Sequence, residues 1–297
     1  LHLFCFSISK QALKIFETIS AVKQHLKAFK AQGKSVGLVP TMGALHKGHL
    51  ELIRQSKRQT EITIVSIFVN PIQFNNPEDL KKYPRTMTAD LAALRGEKVD
   101  VVFAPSEVEI YPRPVSTKFN FGPMENVLEG MFRPGHFNGV AIVVSKLFHI
   151  LEPNIAFFGQ KDLQQVSIIK SMVNDLSFGT KVETIPTIRE IDGLALSSRN
   201  QRLSPKGRKL AALLYKVLSK CRDELLMGAD WLNIKHRIIG EILSPFDIEP
   251  EYLELVKEAN FTPVQTLLPG ISYAVCIAAP VEEVRLIDNI VIRTDQK

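Results

Sequence analysis

Five short apolar runs recur along the first two thirds of the chain: SVGLV (35–39), EITIVSIFV (61–69), VDVVFA (99–104), NIAFFG (154–159) and KVETIPTI (181–188). Each is rich in Val, Ile and Phe and reads as a strand buried on both faces. The segments between them, GHLELIRQSKRQ, TADLAALRG, GVAIVVSKLFHIL and LQQVSIIKSMVNDL, carry a helical period, and Thr86 or Thr88 can cap the second. This alternation predicts an α/β fold, a Rossmann-like doubly wound parallel sheet with helices on both faces. In such sheets ligands bind beyond the carboxyl ends of the strands. Chemistry is therefore expected in PTMGALHKGHL (40–50), NPIQF (70–74), GQKD (159–162) and REIDGLALSSRN (189–200).

The texture changes after residue 188. A long helix is expected over 204–226, with Ser204 as cap and Pro205 in the first turn, and a second over about 231–243. Strands follow in EYLELV, SYAVCIAAPV and VRLIDNIVI, which predicts a smaller α+β C-terminal domain. The expected division is 1–187 and 188–297, with 1–14 as an extension. The segment 70–88 has three prolines and little periodicity, the texture of a functional loop or lid.

No apolar stretch reaches the length of a membrane span, so no membrane partner is expected. The net charge of +6 favours anionic partners without choosing among them. Cys5, Cys221 and Cys276 lie far apart and form no CxxC pair, which fits a reducing cytoplasm. The opening LHLFCFSISKQALK has neither a basic leader nor a small-residue cleavage site, so it reads as an extension and not as a secretory signal.

His46 and His49 can share one face of a helical first turn. A zinc site needs a third ligand, and no Cys, Asp or further His lies close in sequence. A helix amino terminus offers the alternative of an anion site, where free N–H groups and the positive dipole end attract phosphate and imidazole N–H groups add donors. Gly43 and Gly48 would let backbone and phosphate approach closely. Surface histidines at a helix start are the third reading. The stretch is neither a P-loop nor GxGxxG.

Lys161, at the mouth of a later helix, can act as a point charge on phosphate. Ser197, Ser198 and Arg199 add two hydroxyls and a guanidinium able to bind phosphate oxygens bidentately. Three donor-rich loops at strand ends describe a triphosphate site. Nucleic acid is not expected, because no basic run is interleaved with aromatics.

The ordered set VPTMGALHKGHL, VSIFVNPIQF, YPRT, RPGHFNGVAIVVSKLF, FFGQKDLQQ and REIDGLALSSRN resembles the pantoate–β-alanine ligase (pantothenate synthetase) family. That family lies in the nucleotidyltransferase superfamily that includes class I aminoacyl-tRNA synthetases, whose HxGH stretch and distal serine–arginine loop grip ATP. The resemblance covers the chain from residue 15 onward. It implies a two-step reaction: (R)-pantoate's carboxylate attacks the α-phosphorus of ATP to give pantoyl adenylate and pyrophosphate, then β-alanine's amine yields pantothenate and AMP. It also implies a homodimer.

By matching positions, the resemblance assigns ATP to Met42, Gly43, Ala44, Leu45, His46, Lys47, Gly48 and His49, to Gly159, Gln160, Lys161 and Asp162, and to Ile188, Leu196, Ser197, Ser198 and Arg199. His46, His49, Lys161 and Arg199 are the implied catalytic set, with His49 as an acid in the first step, a role that suits a histidine near its ordinary pKa. Gln73 and Gln165 match the glutamines of the pantoate and β-alanine site, and Asp90 and Gln165 are candidate neighbours of Mg2+. The chain departs from the common family forms at Gln160 and Leu196. Two rival readings are a nucleotidyltransferase acting on a phosphorylated acceptor and a non-catalytic nucleotide- or RNA-binding protein.

Overall fold

A computed structural model describes residues 13–294. Cys5 and nearly all of the expected extension lie outside the described residues, although Lys14, its last member, opens the first strand. The elements run β1 (Lys14–Phe16), α1 (Ile19–Ala31), β2 (Val36–Thr41), α2 (Lys47–Gln59), β3 (Ile62–Ile67), α3 (Pro77–Lys82), α4 (Met87–Gly96), β4 (Val101–Phe103), α5 (Glu107–Ile110) and α6 (Leu128–Phe132). They continue with α7 (His136–Leu151), β5 (Ile155–Gly159), α8 (Leu163–Asp175), β6 (Lys181–Ile185), α9 (Pro205–Ala211), α10 (Leu213–Leu226), α11 (Trp231–Arg237), β7 (Tyr252–Lys257), β8 (Ser272–Val281) and β9 (Val284–Arg293).

The first six strands form one parallel sheet in the order β1-β4-β3-β2-β5-β6. Alternate side chains leave opposite faces, as the pleat requires. Leu38, Ile64 and Val101 pack with α1, α7 and α8 on one face. Their neighbours Val39, Val65 and Val102 pack with α2 and α4 on the other. Every residue of β3 is buried, Thr63 and Ser66 included, which explains why the strands read as largely apolar runs and not as alternating ones. Phe157, fully buried in this sheet, would cost about 3–5 kcal/mol to truncate to alanine.

Strand order reverses between β2 and β5, which pair directly. The crevice beyond their carboxyl ends is the topological switch point of the sheet. Met42 through His49 follow β2, and Gln160 through Asp162 follow β5, so both segments open onto that crevice.

The second sheet is antiparallel, β7-β8-β9, with α10 and α11 against one face. Its other face, with Val256, Ala274 and Cys276, packs on Leu128 and Leu163 from the parallel-sheet half. Buried Glu129 reinforces this contact, accepting from Arg285 at 2.6 and 3.0 Å and from the Tyr252 hydroxyl at 2.8 Å. Burial alone would raise its pKa, but Arg285, Arg133 and Tyr252 together bring it down to about 2.

Several expectations need adjustment. Helix α1 and the three-residue β1 were not foreseen. The long helix expected over 204–226 is interrupted at Ala212, and that expected over 231–243 becomes a π-helical turn after Arg237. Ser204 caps α9 as expected, accepting from the Gly207 N–H. Thr86 sits at the cap of α4 but makes no capping hydrogen bond, donating instead to Asp90. The segment 70–88 is not structureless, since it contains a 3-10 turn at Pro71–Gln73 and helix α3. Cys221 and Cys276 are buried free thiols. Among the described residues no helix is long and apolar enough to cross a membrane.

Candidate active site

Helix α2 begins with an unusual cap. His46 is the N-cap, and its Nδ1 accepts from the Gly48 N–H at 3.2 Å. His49 Nδ1 accepts in turn from the His46 N–H at 3.3 Å. The pair forms a reciprocal capping box, the job usually done by Ser or Thr with Glu. A nitrogen that accepts from a backbone N–H carries no proton, so each imidazole holds its hydrogen on Nε2. The rings lie 4.0 Å apart, centroid to centroid. At Gly48 a Cβ would sit 2.9 Å from the His46 ring, so glycine is required for the ring to fold back over the helix start.

Burial and the charge of neighbouring His49 and Lys161 lower the pKa of His46 to about 3. Burial, then Lys161, lowers that of His49 to about 4. The expectation of an ordinary pKa for His49 is therefore corrected: in the free protein at neutral pH it is an uncharged Nε2–H donor.

One cleft at the switch point gathers Met42, His46, Gly48, His49, Gln73, Gly159, Lys161, Asp162, Gln165, Ile188, Leu196, Ser197, Ser198 and Arg199. Lys161 and Asp162 come from the 3-10 turn between β5 and α8, with Lys161 Nζ 3.6 Å from the Asp162 carboxylate. Leu196 through Arg199 follow a short hairpin in which Leu196 N–H donates to Ile188 C=O at 3.0 Å. Ser197 caps the turn that carries Arg199.

Gln73 is buried, and its environment fixes it closely. Its Oε1 accepts from Asn70 Nδ2 at 3.0 Å, and its Nε2 lies 3.2 Å from Met42 Sδ. Its backbone carbonyl accepts from His136 Nδ1 at 2.9 Å, while His136 Nε2 faces Arg133 Nη1 at 3.1 Å. Burial, then the Arg133 charge, brings His136 down to about 4, consistent with a neutral ring that donates at one nitrogen and accepts at the other. Helix α7 reaches the turn at Gly139, where a Cβ would meet the Ile72 carbonyl oxygen at 2.4 Å.

Other expected site residues stand elsewhere. Gly43, Ala44, Leu45 and Lys47 shape the turn without lining the cleft. Gln160 turns its amide to Asn289, and its Nε2 lies 3.3 Å from Asn289 Oδ1. Asp90 does not line the cleft either. One of its oxygens accepts from the Ala44 N–H at 3.0 Å, the other from the Leu45 N–H at 2.8 Å, and the Thr86 hydroxyl reaches both at 3.2 Å. Ala44 has φ of +50°, a left-handed backbone that strains a residue with a Cβ, and the Asp90 clamp holds it there.

As placed, Asp90 does not fit the part of a magnesium ligand, because its buried carboxylate is already committed to two N–H groups and a hydroxyl. Among the described residues no cluster of three or more His, Cys, Asp or Glu could hold a metal, so the zinc reading of the histidines finds no third ligand. The structure adds four cleft residues that sequence reasoning had not singled out: Asn70, Tyr83, Arg133 and His136. All four lie inside the quoted stretches NPIQF, YPRT and RPGHFNGV, but their direction is set by tertiary contacts: Arg133 and His136 meet the Gln73 carbonyl, and Tyr83 packs its ring on Phe74.

The parallel sheet and its switch-point cleft, with an HxGH helix start facing a serine–arginine loop, define an α/β protein whose two donor-rich loops meet over one cleft. The profile of the family described as pantoate-beta-alanine ligase matches residues 14–291. The chain belongs to the pantoate–β-alanine ligase family.

Among its relatives, pantothenate synthetase of Cytophaga hutchinsonii is 46% identical over 276 residues, covering 93% of this chain and 98% of the relative. That of Azobacteroides pseudotrichonymphae is 48% identical over 280 residues, covering 94% and 99%. The crystal structure of pantothenate synthetase from Thermus thermophilus superposes with a TM-score of 0.85 at 38% identity, covering 93% of this chain and 98% of the other. Pantoate-beta-alanine ligase from Francisella tularensis, complexed with beta-gamma ATP and beta-alanine, has a TM-score of 0.79 at 37% identity, covering 94% and 98%.

Proposed function

We propose that this protein condenses pantoate with β-alanine at the switch-point cleft, at the expense of ATP, through pantoyl adenylate. The observation that carries the reading is the convergence of His46, His49, Lys161 and Arg199 with Gln73 and Gln165 around one cleft. The first four offer hydrogen-bond donors and cations for a triphosphate. The two glutamines offer neutral amides for a hydroxy acid, where a further carboxylate would repel it.

In this reading the Nε2–H groups of His46 and His49 hold phosphate oxygens, and Lys161 and Arg199 neutralise the charge that develops as pyrophosphate leaves. Ser197, Ser198 and Leu196 close over the nucleotide, and Asp162 accepts from ribose hydroxyls. Gln73 and Gln165 orient pantoate so that its carboxylate faces the α-phosphorus. β-Alanine's amine then attacks the acyl carbon of the mixed anhydride, and AMP leaves. No enzyme nucleophile takes part; positioning and charge stabilisation do the work. His49 arrives uncharged and serves as a hydrogen-bond donor. Bound phosphate would raise its pKa, which is the condition for any acid role. Mg2+ enters as the partner of ATP and is assigned to no residue of this chain.

The same reading divides the chain at about 187/188, with residues 188–297 acting as a lid that brings Arg199 to the phosphates. It further implies a homodimer, to be checked by sedimentation, and a cytoplasmic setting in which Cys221 and Cys276 stay reduced.

ATP and labelled pyrophosphate, incubated with and without pantoate and without β-alanine, test the proposal. Pantoate-dependent entry of label into ATP is expected, followed by pantothenate and AMP once β-alanine is added. No exchange by folded protein would overturn it, and release of ADP would reassign the chemistry to an acyl-phosphate mechanism.

A further inference from the structure

Asn289 lies on β9, far from the nucleotide loops in sequence, and is 3% exposed. Its Nδ2 donates to two backbone carbonyls, those of Gln160 at 3.0 Å and Lys161 at 2.9 Å. Its Oδ1 lies 3.3 Å from Gln160 Nε2, and its own N–H donates to Asp288 Oδ1 at 2.7 Å. Every polar atom of the side chain is thereby occupied, which fixes the amide's orientation.

The turn that Asn289 grips has no side-chain cap of its own. A lysine is a point charge on a flexible stem, so its backbone position governs where the ammonium can reach. Asp288 extends the grip. Its carboxylate takes a bidentate pair from Arg189, at 2.6 and 2.9 Å, and Arg189 stacks 3.8 Å from the Tyr215 ring. Arg189 opens the hairpin that leads to Arg199. A single strand thus ties the Lys161 turn to the hairpin that carries Arg199.

We infer that Asn289 is a positioning residue for the adenylation step: its side-chain amide sets the backbone of Lys161, while its own backbone, held to Asp288 and Arg189, joins that turn to the hairpin that carries Arg199. The inference rests on the reading of Lys161 as a phosphate-holding group. Neither Asn289 nor Asp288 contacts substrate in this account.

The test compares Asn289→Asp, Lys161→Ala and the double variant by pantoate-dependent ATP–pyrophosphate exchange, with thermal unfolding of each. Asn289→Asp keeps the shape but turns a donor into an acceptor facing two carbonyl oxygens. Should that buried charge prevent folding, Asn289→Ala removes the donors without adding one. A fall of about 10- to 100-fold in exchange kcat is expected, the scale on which small misplacements act, with pantoate KM changing less than twofold. In the Lys161→Ala background the same substitution should cause little further loss. Exchange at the wild-type rate, or equal losses in both backgrounds, would overturn the inference, since a merely structural role adds its cost regardless of Lys161. Wild-type exchange by Lys161→Ala itself would overturn the reading of Lys161, and the inference with it, an outcome distinct from failure at Asn289 alone.

Discussion

The Arg199 guanidinium donates to Asp79 Oδ2 at 3.0 Å, across 120 residues of sequence, while Arg202 stands 3.6 Å from the other oxygen. The pair ties the serine–arginine loop to α3, inside the segment that reads as a lid. With both partners about a quarter exposed, it contributes only about 0–1 kcal/mol to stability. Its importance is competitive, because a guanidinium held by a carboxylate must exchange it for phosphate. Asp79→Ala should lower the KM for ATP by roughly 2- to 5-fold, the equivalent of up to about 1 kcal/mol, with Tm falling by no more than about 2–4 °C. Initial-rate kinetics decide the matter; a raised KM would mean that Asp79 presents Arg199 to ATP and does not compete for it.

The Asp90 clamp leads to a second expectation. Asn at this position has one oxygen for two N–H donors, so either Ala44 or Leu45 loses its acceptor. Stability should fall by about 1–3 kcal/mol, and adenylation should weaken as the turn before His46 relaxes. The Mg2+ concentration that half-saturates exchange should not move. A large shift of that midpoint in Asp90→Asn would restore the metal role set aside above.

The buried histidines give stability a defined pH dependence. His46, His49 and His136 titrate in the folded protein at about 3, 4 and 4, against an ordinary value of 6.5. Below 6.5 the unfolded chain binds protons that the folded chain does not, so stability is full above that pH and declines as pH falls toward 3. Each histidine contributes a slope of at most about 1.4 kcal/mol per pH unit. Urea unfolding between pH 4 and 7 should show this decline, with a shallower slope in His136→Gln. An identical slope in the variant would rule out His136 as a contributor.

At Gly139 the atoms a Cβ would meet are backbone, the Ile72 carbonyl and Gln73 Cα at 2.4 and 2.7 Å. Neither can swing aside. Gly139→Ala should push the Gln73 turn outward, raising pantoate KM by about 10-fold or more at a stability cost of about 1–3 kcal/mol, with ATP KM nearly unchanged. Equal effects on both substrates would show that the turn does not distinguish them.

What could be read from the sequence was what local pattern determines. The central strands were legible because burial on both faces removes the exposed polar alternation and leaves largely apolar runs, as in β3, where Thr63 and Ser66 are the polar members. The strand β1 was missed because three residues carry no period, and its pairing with β4 is formed 87 positions away, Lys14 against Val101. The cleft residues at strand ends were legible from motif order. Asp90, an early-helix acid, could equally have faced a metal, and only the approach of Ala44 and Leu45 decides its task. Asn289 and Glu129 were invisible for the same reason, since their partners come from the other half of the chain.

The histidine capping box has a further consequence for which residues positions 46 and 49 can accept. Each side chain must take a backbone N–H on one atom and still present a hydrogen on another. Lysine and arginine have no acceptor, and aspartate and glutamate have no donor when ionised. Besides histidine, asparagine and glutamine alone join an acceptor and an N–H donor in one planar group. Replacing either imidazole with a permanent cation, which would suit the phosphates, would unfasten the first turn of α2. Substitution here is constrained by the helix's own main chain before any nucleotide arrives.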